Sequence, residues 1–208
     1  MVLIVSVRHL RKVLEAGEFH CPQCGGDRRF QFGVGRRHLV VFDIPVLPLS
    51  RNPGSVECAV CGGKFDRSVL AVPTGRRLTE MLREVTRTLV IGALIAGGES
   101  SPAARATAVA AMREVGVTAY SDEVLSIDLY AHGGDESYES LAVLDALADH
   151  LAHEGRVRLI AVAAHVALAD GPYRTLEVDM LLSAGARLGL TRAEVDRVLD
   201  EAAGHTPR

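Results

Sequence analysis

The spacing of apolar positions changes near Arg76. Downstream, Leu78, Leu82, Val85, Leu89 and Ala93 recur at three- and four-residue steps, which lines one face of a helix. Upstream the runs are shorter. Arg28–Phe32 and His38–Phe42 flank Gly33-Val34-Gly35, a pattern that predicts two strands joined by a hairpin, and Lys64–Val72 alternates enough to be a further strand. Between them, Pro45 and Pro48 in FDIPVLPLS (Phe42 to Ser50) keep the chain extended and out of a sheet centre.

The helical part is well punctuated. Ser101-Pro102 is a start signal, serine as N-cap and proline at the first helical position. Thr191 with Glu194 forms a capping box ahead of Val195, Val198, Leu199 and Ala202. Gly116, Gly133-Gly134, Gly155, Gly171 and Gly189 act as stops. Helices are predicted near 77–96, 102–115, 121–132, 136–154, 156–169, 175–188 and 192–203. A shift of 73 residues places Ala96 on Ala169, Gly98 on Gly171, Val115 on Leu188, Gly116 on Gly189 and Thr118 on Thr191. Two copies at this period suit a pseudo-twofold bundle better than a solenoid. The expected architecture is mainly α: a small β module over 1–75, then an all-α domain of about seven helices over 76–208 with an internal repeat.

All four cysteines fall in two matched turns, Cys21-Pro22-Gln23-Cys24-Gly25 and Cys58-Ala59-Val60-Cys61-Gly62. A C-x-x-C turn aims both sulfurs at one point, and two such knuckles make a closed S4 site, the usual arrangement for structural zinc. Two disulfides are the alternative, disfavoured by a context that looks cytosolic. A thioredoxin-type pair would need a βαβ setting that the pattern lacks. In so small a module, binding is folding, and on the order of 10 kcal/mol would reside in the metal. Four thiolates leave no position for a reacting water. The first module therefore reads as a zinc ribbon.

Composition adds two constraints. Of 208 residues 48% are hydrophobic and only 4% aromatic, a core of Ala, Val and Leu that suits close-packed helices. The net charge of −3 divides unevenly, +6 up to Arg77 and −9 from Leu78 onward. Arg28, Arg29, Arg36 and Arg37 make the ribbon basic, either for a polyanion such as nucleic acid or as a docking face for the acidic part. Phe30, Phe32 and Phe42 serve as readily in a core as in base stacking. No apolar run is long enough to span a bilayer, and the charges after Met1–Val7 stand on the wrong side for a signal peptide, so a cytoplasmic chain is expected.

The knuckle CPxCG, the stretch Phe42-x-Ile44-Pro45-x-x-Pro48-Leu49 and the second CxxCG together resemble a bacterial zinc ribbon found at the start of some tellurite-resistance TerB-like proteins; the match covers about Phe19 to Phe65. Ala169-Asp170-Gly171, Glu177 and Leu188-Gly189-Leu190-Thr191 are similar to the TerB-like helical domain, over about Thr86 to Ala203. The resemblance implies an all-helical fold, a role in stress response among other proteins, no enzymatic reaction, and acidic side chains gathered from both halves for a divalent cation such as calcium. This chain departs from that pattern: Gly97 and Ala104 stand at the counterparts of Asp170 and Glu177. A hard cation wants six to eight oxygens. Asp128, Glu136 and Asp179 are further carboxylates that the sequence cannot place. Without a cation, Asp170 orders its turn and Glu177 offsets a helix dipole.

Other chemistry is sparse. His150 and His153, with Asp149 and Glu154, read as one helical turn before Gly155, where they suit a helix C-terminus. They do not fit the HExxH or HxxEH patterns. His165 among Ala163, Ala164, Val166 and Leu168 reads as a hydrogen-bonded interior histidine, and His20 adjoins a ligand set already complete. The expected function is a non-catalytic, metal-linked stress-response protein with structural zinc. Nucleic-acid binding by the basic ribbon is the alternative, and a hydrolase using His150 and His153 a distant third.

Overall fold

Val5, Val7, Leu10 and Val13 are spread among charged residues, and this N-terminal segment is a strand, β1 (Val5–Cys21). The computed structural model describes residues 5–41, 44–132 and 142–204. Strands β2 (Gly26–Val41), β3 (Ile44–Cys58) and β4 (Lys64–Phe65) follow, in an antiparallel sheet of order β1-β2-β3-β4. Val13 and Leu14 of β1, which lies at one edge of the sheet, are exposed.

Three local expectations change. Gly33-Val34-Gly35 is not a turn. β2 runs straight through it, and its register with β3 shifts between Gly33 and Gly35, so the small residues make a bulge. The predicted strand over Lys64–Val72 is only Lys64–Phe65, after which Asp66 accepts the Ser68 amide at 2.9 Å and starts a 3-10 turn over Arg67–Ala71. Pro45 and Pro48 lie within β3, opposite Val40 and His38. β4 pairs only with Val56 and Glu57, so the prolines lie where β3 has a neighbour on one side, and the β2–β3 register shifts beside each of them. Phe42 and Asp43 lie outside the described residues.

Among the described side chains the ribbon's buried cluster is Phe19, Cys21, Phe30, Phe32, Val56 and Cys58, with Phe65, Val69 and Leu70 against it. Phe19 meets Phe30 edge-to-face at 5.6 Å. Arg67 closes one side, its guanidinium 4.8 Å from the Phe32 ring centre and donating to Glu15 at 2.9 Å.

Seven α-helices follow among the described residues: α1 (Gly75–Gly97), α2 (Pro102–Glu114), α3 (Asp122–His132), α4 (Ala142–Ala148), α5 (His153–Leu168), α6 (Thr175–Arg187) and α7 (Arg192–Gly204). The chain divides into two compact units, Met1–Arg77 and Leu78–Arg208. In the second, α5 packs on α2, α6 and α7. Its Ala163, Ala164 and Ala167 are small enough to let neighbours close in, and are fully buried with Ile160 and Val166.

Caps hold as the pattern requires. Ser101 accepts the Ala104 amide, and Glu194 accepts the Thr191 amide at 2.7 Å. The one shifted boundary is at α5, which begins at His153 rather than after Gly155, because the chain turns at His150 and Leu151 instead. The predicted helix over 136–154 is therefore α4 and the start of α5, its first residues lying outside the described ones.

Positions 73 residues apart share particular bonds. Val117 donates to Met112 O at the end of α2, and Leu190 to Gly185 O at the end of α6, a Schellman-type closure in both. Arg83 reaches from α1 to the carbonyls of Val115 and Gly116 at 3.2 and 3.1 Å. Arg156 reaches from α5 to the Leu188 carbonyl at 3.2 Å and also holds Leu151 O at 3.1 Å. Arginine thus supplies the donors that a helix C-terminus lacks. Arg156→Ala is expected to destabilise the chain by about 1–2 kcal/mol, read as a lower urea midpoint at unchanged slope.

Candidate metal centre and acidic loop

Both cysteine turns are built alike. β1 ends at Cys21 and the Gly25 amide returns to the Cys21 carbonyl at 2.9 Å; β3 ends at Cys58 and the Gly62 amide returns to the Cys58 carbonyl at 3.0 Å. Gly25 and Gly62 have φ of 65° and 68°, and nothing lies within 4 Å of a Cβ placed on either. Glycine is needed there for its left-handed backbone and not for space.

The four sulfurs converge. All Sγ atoms lie within 4.8 Å of one another, with Cys21–Cys61 at 3.8 Å and Cys24–Cys58 at 4.0 Å, and none is in a disulfide. Tetrahedral thiolate ligands about 2.3 Å from a metal are about 3.8 Å apart, so the cluster fits a closed tetrahedral metal ion. Cys21 and Cys58 are buried while Cys61 is exposed, its sulfur 3.5 Å from Gln23 Oε1.

Charge in this cluster is unevenly shared. Burial, aided by hydrogen bonds that the Cys24 thiol donates to the other three sulfurs, pushes Cys24 up to about 12. The Cys61 amide brings Cys58 down to about 7 against burial, with the Val60 amide helping. A bound dication would favour the thiolate form of all four. Among the described residues no other group of three or more His, Cys, Asp or Glu side chains could hold a metal ion.

The acidic loop lies between α5 and α6. Asp170 Oδ2 is 3.1 Å from Arg174 Nη2. Glu177, at the third position of α6, is 1% exposed, and its Oε2 accepts the Arg174 amide at 2.6 Å. That is the glutamate half of a capping box; Arg174 cannot accept in return. Its other oxygen lies against Gly97, where an added Cβ would collide with it. Burial holds the Glu177 carboxyl above its ordinary range; the Arg174 amide opposes this and the charge of Asp170 adds to it. The same carboxylate helps raise Tyr173 to about 12, after burial.

The remaining candidates are scattered. Arg28 turns onto the Asp27 carbonyl at 2.7 Å, and Arg29 is exposed opposite Glu18. As neighbours on a strand, the two point to opposite faces. Arg36 and Arg37 lie on β2, with side chains outside the described residues. His20 is 3.4 Å from Asp27. His150 and His153 do not share a helical turn: His150 follows α4, whereas His153 opens α5 and meets Glu194 at 3.5 Å. His165 is hydrogen-bonded to the Ala161 carbonyl at 2.6 Å but exposed, not interior. Asp128 accepts the Tyr120 hydroxyl at 2.6 Å, Asp179 is exposed, and Glu136 lies outside the described residues. Sequence reasoning missed Arg174, although an arginine four residues after Asp170 and three before Glu177 was a readable signal.

This arrangement, a four-strand sheet carrying one cysteine cluster and a separate unit of seven described helices, is that of a zinc-ribbon-like motif joined to an α-helical domain. Residues 127–200 match the family model of Tellurite resistance protein TerB, which is all-helical. The match includes Asp170 and Glu177 and leaves out Gly97 and Ala104. No curated protein and no solved structure matches the chain. No described helix is long and apolar enough to cross a membrane.

Two outcomes follow for Glu177. Gly97 ends α1 with ordinary backbone angles, so alanine there would normally help the helix. Against the Glu177 carboxylate, Gly97→Ala is expected to cost about 1–3 kcal/mol, and the cost should vanish in a Glu177→Ala background, as a double-mutant cycle by urea unfolding would read. The second concerns pH. A carboxyl raised in the folded state keeps its proton after the unfolded chain has lost its own, so stability falls as pH climbs from the ordinary glutamate range through the raised value. Glu177→Gln, whose amide oxygen can still accept the Arg174 amide, should remove that decline in urea midpoint measured against pH.

Proposed function

We propose that the protein is a non-catalytic, cytoplasmic, metal-linked stress-response protein, its ribbon held by structural zinc and its helical unit engaging other proteins of the same system. The observation that carries this reading is the cysteine cluster: four sulfurs within 4.8 Å, on two glycine-terminated turns of one small sheet. Zinc is the metal that this ligand set suits best, being four-coordinate, redox-inert and at ease with four thiolates. A closed S4 shell has no position for substrate or water, which supports a structural role and not a catalytic one. Tellurite resistance is the nearest named role, through the TerB match over 127–200.

Metal analysis of the purified chain should find one zinc per molecule, lost in Cys58→Ser. Chelation should unfold the ribbon, whose two cysteine turns the metal would tie together, while far-UV dichroism of the helices remains. Less than one zinc, or zinc retained in Cys58→Ser, overturns the metal assignment. A deletion strain should grow less well under tellurite, metal or oxidative stress and recover with the wild-type chain but not with Cys58→Ser. Equal growth of deleted and parent strains under all three would remove the stress role.

A further inference from the structure

We propose that Arg174 supplies, from within the chain, the positive charge that the family resemblance assigns to a divalent cation at the Asp170–Glu177 loop, and that this loop binds neither calcium nor magnesium. The carboxylates are already engaged. Asp170 Oδ2 faces the Arg174 guanidinium at 3.1 Å, and Glu177 Oε2 holds the Arg174 amide at 2.6 Å. One residue therefore meets both acids, through its side chain and its backbone. Glu177 is 1% exposed, so it cannot offer its oxygens to an ion that keeps a water shell.

The first-half counterparts do not complete a ligand set. Gly97 and Ala104 stand where a second aspartate and glutamate would, and Ala104 is 5% exposed. The space that a side chain at position 97 would need is taken by Glu177 itself. A side chain at position 97 and the inward placement of Glu177 therefore exclude each other. Arg174 also lies over the turn between α1 and α2: a Cβ on Gly98 would stand 3.2 Å from its Nη1. A single guanidinium spans the two loops that a shared ion would have joined. Unlike a bound ion, it is present at every metal concentration and stays charged at every accessible pH.

The test uses the full, zinc-loaded chain. Calcium chloride and magnesium chloride are titrated in separately by calorimetry, and melting is followed with and without each. The wild type should give no saturable heat and no change in melting temperature. Arg174→Gln should melt about 1–3 °C lower at low ionic strength, the difference shrinking as salt is added. Arg174→Lys, which keeps the charge, should recover most of the loss. A saturable wild-type isotherm that disappears in Asp170→Ala would overturn the proposal, and so would Arg174→Gln melting at the wild-type temperature in low salt.

Discussion

Negative charge gathered where water is thin must be met by something positive, and each unit of this protein is arranged round one instance of that constraint. In the ribbon that charge would belong to the four cysteine sulfurs, within 4.8 Å of one another, as thiolates round a metal ion. Two of them, Cys21 and Cys58, are also part of the ribbon's buried cluster with Phe19, Phe30, Phe32 and Val56. In the helical unit the charge belongs to Glu177, buried at the start of α6. Helix polarity favours an acid at that end, and the Arg174 amide receives it directly. Both solutions use backbone amides first: those of Cys61 and Val60 draw down Cys58, and that of Arg174 draws on Glu177.

The two units differ in how their sequences declare them. Helix ends were readable because capping is local chemistry. A serine before a proline, or a threonine three residues from a glutamate, means the same hydrogen bonds wherever it occurs, and Ser101 and Thr191 make those bonds. The cysteine frame was readable for a related reason, since C-x-x-C-G fixes its turn without help from distant residues. Strands were harder. β1 gives no clean alternation from Lys12 to Glu18, where every residue is exposed, Val13 and Leu14 among them, so no buried face imposes one there. Gly33-Val34-Gly35 misled because small residues serve a bulge as well as a turn, and only the partner strand decides which.

Side-chain position was the other limit. His165 sits between apolar neighbours in sequence, yet its helix presents it outward and its ring bonds to its own helix. His150 and His153 are three residues apart, which puts them together only if one helix contains both. The chain breaks between them at Leu151, whose carbonyl is held by Arg156. The turn there is closed by the His150 and Leu151 amides on the carbonyls of Leu147 and Ala148.

Gly97 shows most clearly how pattern and packing can disagree. Aligned by the 73-residue shift, it looks like a vacated aspartate, a sign of decay. In the structure the absence of a side chain is what lets Glu177 approach the end of α1, so glycine is the residue the site requires. A carboxylate restored at position 97 would stand against a buried carboxylate already in place, with burial and repulsion both opposing it. Restoring Asp at 97 alone would therefore harm the fold and build no ion site; any such site would need Glu177 moved outward in the same step. What reads along the chain as half of a site is, in three dimensions, a finished contact with its own charge balance.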